Sequence, residues 1–207
     1  MAITITNGYL TLAELKSHPA LDIDANDNVD DTRLEGVIEG VSRWIDQDRK
    51  RRFFTTGSDE TRYFTTEVSH RCVIEDLISM TTLKTDFDGD GTYETIWATT
   101  DYRLFPYNGS LNGEPYIAIE QRPYSVNTFP TYPGAVQVIG KFGYASTAPK
   151  AIKEACLLMS IRVFQRKDKP FGISGSADLG TQEIITAIGK DDEIQKMLNT
   201  IRRRGLM

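Results

Sequence analysis

The sequence predicts an α+β protein: a small α-helical bundle core into which an antiparallel β module is inserted. Apolar residues at helical spacing run from Leu34 to Ile45, and a second stripe runs from Ile152 to Val163. Between them, from Phe53 to Tyr144, Thr, Tyr, Phe, Val and Ile occur in short runs split by Gly, Pro, Asn and Asp, the texture of antiparallel strands. The expected division is 1–52 for the N-terminal helices, 53–146 for the β-rich insertion and 147–207 for the C-terminal helices that complete the core. A chain of 207 residues accommodates one such domain with its insertion, and not two independent enzymatic domains.

The elements follow in order. Thr11-Leu12-Ala13-Glu14 fits a capping box, in which hydroxyl and carboxylate each accept from a free backbone N–H, so a short helix is expected from about Thr11 to His18, ended by Pro19. The Asp- and Asn-rich stretch from Leu21 to Asp31 has no helical stripe and reads as a surface loop. Leu34, Val37, Ile38, Val41, Trp44 and Ile45 then share one face of a long helix, expected from about Asp31 to Arg51. Asp30 or Asp31 suits its N-cap, and Arg49, Lys50, Arg51 and Arg52 crowd the end where the helix dipole favours cations.

Five strands are expected around Arg62–Thr65, Thr81–Lys84, Thr95–Ala98, Tyr116–Ile119 and Ala135–Ile139. Pro149 opens the next helix, whose stripe of Ile152, Ala155, Cys156, Met159 and Val163 should pack on the earlier long one. Gly172, Ser174, Gly175, Ser176 and Gly180 make 169–190 an expected extended, mobile loop. A last helix is expected from about Asp191 to Arg203, with Ile194, Met197, Leu198 and Ile201 on one face.

Composition narrows the chemistry. Hydrophobic residues at 40% and charged residues at 26% belong to an ordinary folded protein. No run approaches the roughly 18 apolar residues of a membrane span, and the N-terminus lacks a secretory layout, so synthesis and residence in a cytoplasm are expected, with no membrane partner. Cys72 and Cys156 are too far apart for a CxxC motif and read as buried small hydrophobes. His18 and His70 are the only histidines, which leaves imidazole catalysis two candidates. A net charge of -5 argues against a protein that grips nucleic acid over its whole surface.

Several strings invite a sharper reading. Asp86, Asp88 and Asp90, alternating and followed by glycine, begin like the calcium loop of an EF-hand. The twelfth position, however, is Trp97 where that loop needs a bidentate glutamate, and the flanks read as strands. An acidic hairpin turn in which Gly89 and Gly91 supply positive φ is preferred, and a calcium-dependent binding module of a virion or cell surface is the alternative. The basic run Arg43 and Arg49–Arg52 can meet phosphates, though a dipole-pairing helix end is preferred. Ser69-His70 near Glu75 and Asp76 suggests a base and an acid, but no G-x-S-x-G nucleophile motif exists anywhere, and no enzyme activity or cofactor is expected. Gly172-Ile173-Ser174-Gly175-Ser176 lacks the Gly-Lys-Ser/Thr ending of a P-loop. Arg202, Arg203, Arg204, Leu206 and Met207 form a charged, apolar-tipped end free to meet a partner, and Gly172, Ser174 and Gly175 are grouped with them as candidate partner contacts.

Three strings carry a family likeness. Tyr9-Leu10-Thr11-Leu12-Ala13-Glu14-Leu15-Lys16 is similar to the opening of the head-tail connector (adaptor) proteins of long-tailed phages, and Leu34 to Ile45 followed by Arg51-Arg52-Phe53 resembles their first core helix. Pro149-Lys150-Ala151-Ile152-Lys153-Glu154-Ala155 through Phe164-Gln165-Arg166-Lys167-Asp168 resembles the helix that packs against it. The long β insertion departs from the smallest members and resembles the larger adaptors, including those of gene transfer agents. The resemblance implies a virion structural protein of the neck that forms a ring, usually a dodecamer, between the portal protein and a downstream tail or stopper protein. DNA would pass through the channel without specific binding. It also implies that Arg202–Met207 docks on the portal and that the Gly172–Gly180 segment orders against a neighbour.

Overall fold

A computed structural model of the chain describes residues 5–166, 173–174, 183–184 and 191–201. It is a mixed α+β fold of two compact units. One comprises residues 1–50 and 149–207, and the other residues 51–148. No helix among the described residues is long and apolar enough to cross a membrane.

The first unit is helical. In α1 (Leu12–Lys16) the capping box forms, with the Glu14 N–H donating to Thr11 Oγ1 at 3.2 Å and the Thr11 N–H donating to Glu14 Oε2 at 2.8 Å. Helix α2 (Asp31–Arg49) buries Leu34, Ile38, Val41, Ser42 and Ile45, and stops at Lys50, whose φ of 49° and ψ of 45° are left-handed. The expected helix therefore ends two residues early, because Arg51 and Arg52 leave to make contacts in the second unit. Asp30 is the N-cap residue but makes no side-chain cap bond, and Asp31 instead accepts from the buried Lys16 at 2.7 Å. Helix α4 (Lys150–Gln165) has Pro149 as N-cap residue and buries Ile152, Ala155, Cys156, Met159, Ile161 and Phe164. It packs on α2, where Ser42 Oγ lies 3.6 Å from Cys156 Sγ and Arg33 sits over the Phe164 ring. Helix α5 (Asp192–Asn199) is capped by Asp191, which accepts from the Glu193 and Ile194 amides, and it buries Ile194 and Leu198 fully.

The second unit is an antiparallel sheet of β1 (Glu60–Phe64), β2 (Arg71–Thr85), β3 (Thr95–Ile96), β4 (Tyr102–Phe105), β5 (Tyr116–Gln121) and β6 (Val136–Phe142). The strand order is β1-β6-β2-β5-β4, with β3 paired to β2. The 15-residue β2 organises it, pairing β5 through Arg71–Leu77 and β6 through Leu77–Thr85, with register shifts at Leu77/Ser79 and Met80/Thr82. Its core holds Cys72, Ile74, Leu77, Leu83, Trp97, Ile119, Phe129, Val136, Val138 and Phe142, with Trp97 stacked on Phe129 at 4.4 Å. Both cysteines are free and buried, and burial pushes the Cys72 thiol up to about 12. A short helix, α3 (Gly109–Asn112), joins β4 to β5.

The expected strand at Thr81–Lys84 is only the end of β2, and β4 was not expected. In β2 burial alternates from Arg71 to Asp76, but an exposed Val73 and a buried Asp76 reverse the usual residue types and bulges shift the register beyond Leu77, so the period-2 signal is lost across Arg71–Met80. Within the expected loop at 169–190, β7 (Ile173–Ser174) and β8 (Glu183–Ile184) pair antiparallel. The rest of that segment lies outside the described residues.

Candidate functional site

The Asp86–Glu94 string is a turn built around Asp86. Its backbone N–H donates to Ala135 O, its Oδ1 accepts from the Gly89 amide at 2.8 Å, and its Oδ2 accepts from the Gly91 amide at 3.0 Å. Gly89 and Gly91 have φ of 80° and 88°, the left-handed backbone that aims both amides at one carboxylate. Burial would raise the Asp86 carboxyl, but the amide hydrogen bonds outweigh it and hold the group below its usual range. The rim is pinned as well, by the Tyr132 hydroxyl donating to Asp86 O and the Tyr93 hydroxyl donating to Gly134 O.

Asp86, Asp88 and Glu94 bring carboxylate oxygens within 4.8 Å of one another, whereas Asp90 is not in that group and accepts from the Thr92 amide. Both oxygens of Asp86 are thus committed to backbone donors, and Trp97, at the twelfth position of the calcium-loop pattern, is buried with its Nε1–H donating to Thr85 Oγ1. The arrangement does the work of a structural turn.

The arginines of the basic run are likewise held by the protein itself, while Lys50 is exposed. Arg49 donates to Asn199 and Gln195, joining α2 to α5. Arg51 makes a bidentate pair with Asp76, and Arg52 donates to Glu60 and to Phe142 O. Arg43 donates to Asn7 O. The acids near His70 are engaged too, Asp76 by Arg51 and Glu75 by Arg62. Arg49, Arg51 and Arg52 of the basic run, and the acids Glu75 and Asp76 near His70, are therefore engaged in internal contacts.

Of the candidate partner contacts, Gly172, Gly175, Arg202, Arg203, Arg204, Leu206 and Met207 lie outside the described residues, and Ser174 is placed by its backbone in β7. A different presentation surface emerges on the connection between β5 and β6. Tyr124 is 99% and Val126 93% exposed, although the loop that carries them is well tied. The Arg122 N–H donates to Asp101 O, Gln121 Nε2 donates to Ser125 O, and Asn127 Nδ2 donates to Asp101 Oδ2. Two exposed apolar side chains thus stand on a loop tied by hydrogen bonds. Leu111 in α3 and Val29 before α2 are also presented, at 84% and 89%. The sequence signal for the loop was weak: Pro123 and Pro130 bracket it, but a Tyr and a Val two residues apart look the same in a half-buried strand.

No protein-family model matches the chain, and no curated protein sequence does. Among solved structures, a chain in the neck of an empty gene transfer agent (GTA) particle, computed with C6 symmetry, superposes with a TM-score of 0.59 at 15% identity, covering 99% of this chain and 94% of that one. A chain from the virion of a native GTA particle gives 0.61 at 15% identity, covering 96% and 92%. A chain in the neck of the native particle, computed with C12 symmetry, gives 0.52 at 13% identity, covering 96% and 95%. At these identities the likeness is one of fold, and it extends over nearly the whole of each chain, β unit and helical unit together.

Proposed function

We propose that the protein is a structural component of a virion neck, a head-tail connector whose copies form a ring between the portal and the next tail component. The observation that carries this reading is the near-complete, two-way coverage of neck chains from GTA particles. A shared helical bundle alone would match only 1–50 and 149–207; here the inserted sheet is shared too. Mechanism in such a protein means fit and not chemistry, which agrees with arginines and carboxylates spent on internal pairs. Side-to-side contacts of one patch with a different patch close a ring of copies. The net charge of -5 suits a channel wall past which DNA slides. The Arg202–Met207 end is the element proposed to dock on the portal.

The test is negative-stain electron microscopy of the purified protein at high concentration, with a mass measurement in solution, repeated after mixing with portal protein. Closed rings with a channel wide enough for duplex DNA, alone or on the portal, are expected. A monomer that stays monomeric and does not bind portal would overturn the reading.

A further inference from the structure

We infer that Asn112–Gly113, at the end of α3, is a site of self-modification, where the asparagine converts to aspartate and isoaspartate while the protein stays folded. The chemistry uses only the chain and water. The backbone nitrogen of Gly113 loses its proton to hydroxide and attacks Asn112 Cγ; a Cγ–N bond forms, the side-chain nitrogen takes up a proton and leaves as ammonia, and a cyclic succinimide remains. Water then opens the ring. Cleavage of the new Cγ–N bond gives aspartate, and cleavage of the original peptide C–N bond gives isoaspartate. Glycine in the second position favours closure because no Cβ obstructs the approach. An aspartate before glycine closes the same ring with loss of water.

The sequence holds five pairs capable of this reaction: Asn7–Gly8, Asp88–Gly89, Asp90–Gly91, Asn108–Gly109 and Asn112–Gly113. The fold restrains four of them. In the acidic turn Asp86 holds both attacking nitrogens, the Gly89 N–H at 2.8 Å and the Gly91 N–H at 3.0 Å, by hydrogen bonds to a charged acceptor. Asp88 and Asp90 are tied as well, accepting from the Asp90 and Thr92 amides. Gly109 is buried, its N–H donates to Pro106 O at 2.9 Å, and a Cβ there would stand 2.9 Å from Glu114 O. At the first pair, Asn7 O accepts from Arg43 at 2.8 Å, and Gly8 is wedged so that a Cβ would stand 2.5 Å from Ile5 Cγ2 and 3.0 Å from Ile38 Cγ2. Ring closure needs rotation about the bond between asparagine Cα and its carbonyl carbon, which these contacts oppose.

The fifth pair has no such restraint. Asn112 and Gly113 are both exposed, and among the described residues the Asn112 side-chain amide makes no hydrogen bond. Nothing lies within 4 Å of the position a Cβ on Gly113 would take. The Gly113 N–H faces Gly109 O and Ser110 O, the latter at 3.5 Å, the outer limit for such a bond. It closes a helix of only 4 residues, far below the length that sustains itself, so the nitrogen is released at little cost. Conversion sets a carboxylate beside the exposed Leu111, and as isoaspartate it inserts a carbon into the backbone between α3 and β5. The inference stands apart from the neck reading, because its test uses no other virion protein.

The test ages the full-length protein in mildly alkaline buffer, folded and, in parallel, unfolded in guanidinium chloride. Conversion at each pair is followed by tandem mass spectrometry of its peptide, with electron-transfer fragmentation to separate isoaspartate from aspartate. Folding should slow Asn7, Asp88, Asp90 and Asn108 by about tenfold or more against the unfolded chain, and Asn112 by less than about threefold, since only the first four must give up hydrogen bonds or packing to react. Asn112→Gln should remove the main acidic species that ion exchange resolves from the aged folded protein, because glutamine closes its larger ring far more slowly. Slowing of Asn112 by folding as great as that of the other pairs overturns the inference, as does an acidic species that forms in Asn112→Gln at the parent's rate.

Discussion

Glu60 sits between two arginines. Arg52 Nη2 donates to its Oε1 at 2.6 Å, Arg62 Nη2 donates to its Oε2 at 2.6 Å, and Thr56 adds a hydroxyl. Partial burial would raise its pKa, but these donors outweigh it and lower the group from 4.5 to about 2. A carboxyl whose folded pKa is depressed stabilises the protein fully above its unfolded pKa, and that stabilisation drains away as pH falls from about 4.5 through about 2. Glu60→Gln should therefore flatten the loss of stability over that window, read as urea midpoint against pH through Trp97. Parallel profiles for variant and parent would show that the pairing does not govern the acid limb. Nearer the N-terminus, Thr11→Ala removes one half of the capping box and should cost about 1 kcal/mol, measured by urea unfolding followed through Trp44. This prediction rests on residues whose spacing alone announced the contact.

At the scale of elements, the acidic turn and β2 show what periodicity does and does not reveal. Alternating aspartates and glycines identify a turn, and the preferred hairpin-like reading agrees with the observed geometry. The identity of the residue that turns inward was not readable, because Asp86, Asp88 and Asp90 are chemically equal in the sequence and only the two glycine amides single out Asp86. Asp86→Ala should lower the Trp97 unfolding midpoint by stranding both amides. Calcium at roughly 10 mM, above the weakest ordinary affinities of such loops, should leave the melting temperature unmoved; a rise of several degrees would show that the carboxylates of Asp88 and Glu94 recruit an ion after all. In β2 the obstacle was different. Asp76 occupies an inward position because Arg51, 25 residues earlier, reaches it, and no local window contains both partners.

At the scale of the whole molecule, charge and contact surfaces decide behaviour. Arginines that looked available for phosphate are consumed by Asp76, Glu60, Asn199 and Gln195, and the net charge is -5. The purified protein should therefore not retard duplex DNA in an electrophoretic mobility assay at physiological salt, where a basic face making several phosphate contacts would. Retardation that weakens steeply with added salt would contradict this. The exposed Tyr124 and Val126 contribute little burial to the free chain, so the double change to alanine should alter folding stability by no more than about 0.5 kcal/mol, measured by urea unfolding. Any larger effect on ring formation or portal binding would then report contact and not misfolding.

What the sequence determined by itself was the local grammar: the capping box at Thr11 and Glu14, the stripes of α2 and α4, the turn at Asp86–Glu94, and with them the α+β class. These depend on periodicity and on contacts within a few residues, which a linear chain displays directly. Only the tertiary structure decided where the charges go. Pairs such as Arg51–Asp76, Arg52–Glu60 and Arg62–Glu75 turn an apparently basic helix end and an apparent acid-base cluster into scaffolding, because the value of a charged side chain is set by partners that strand pairing brings close.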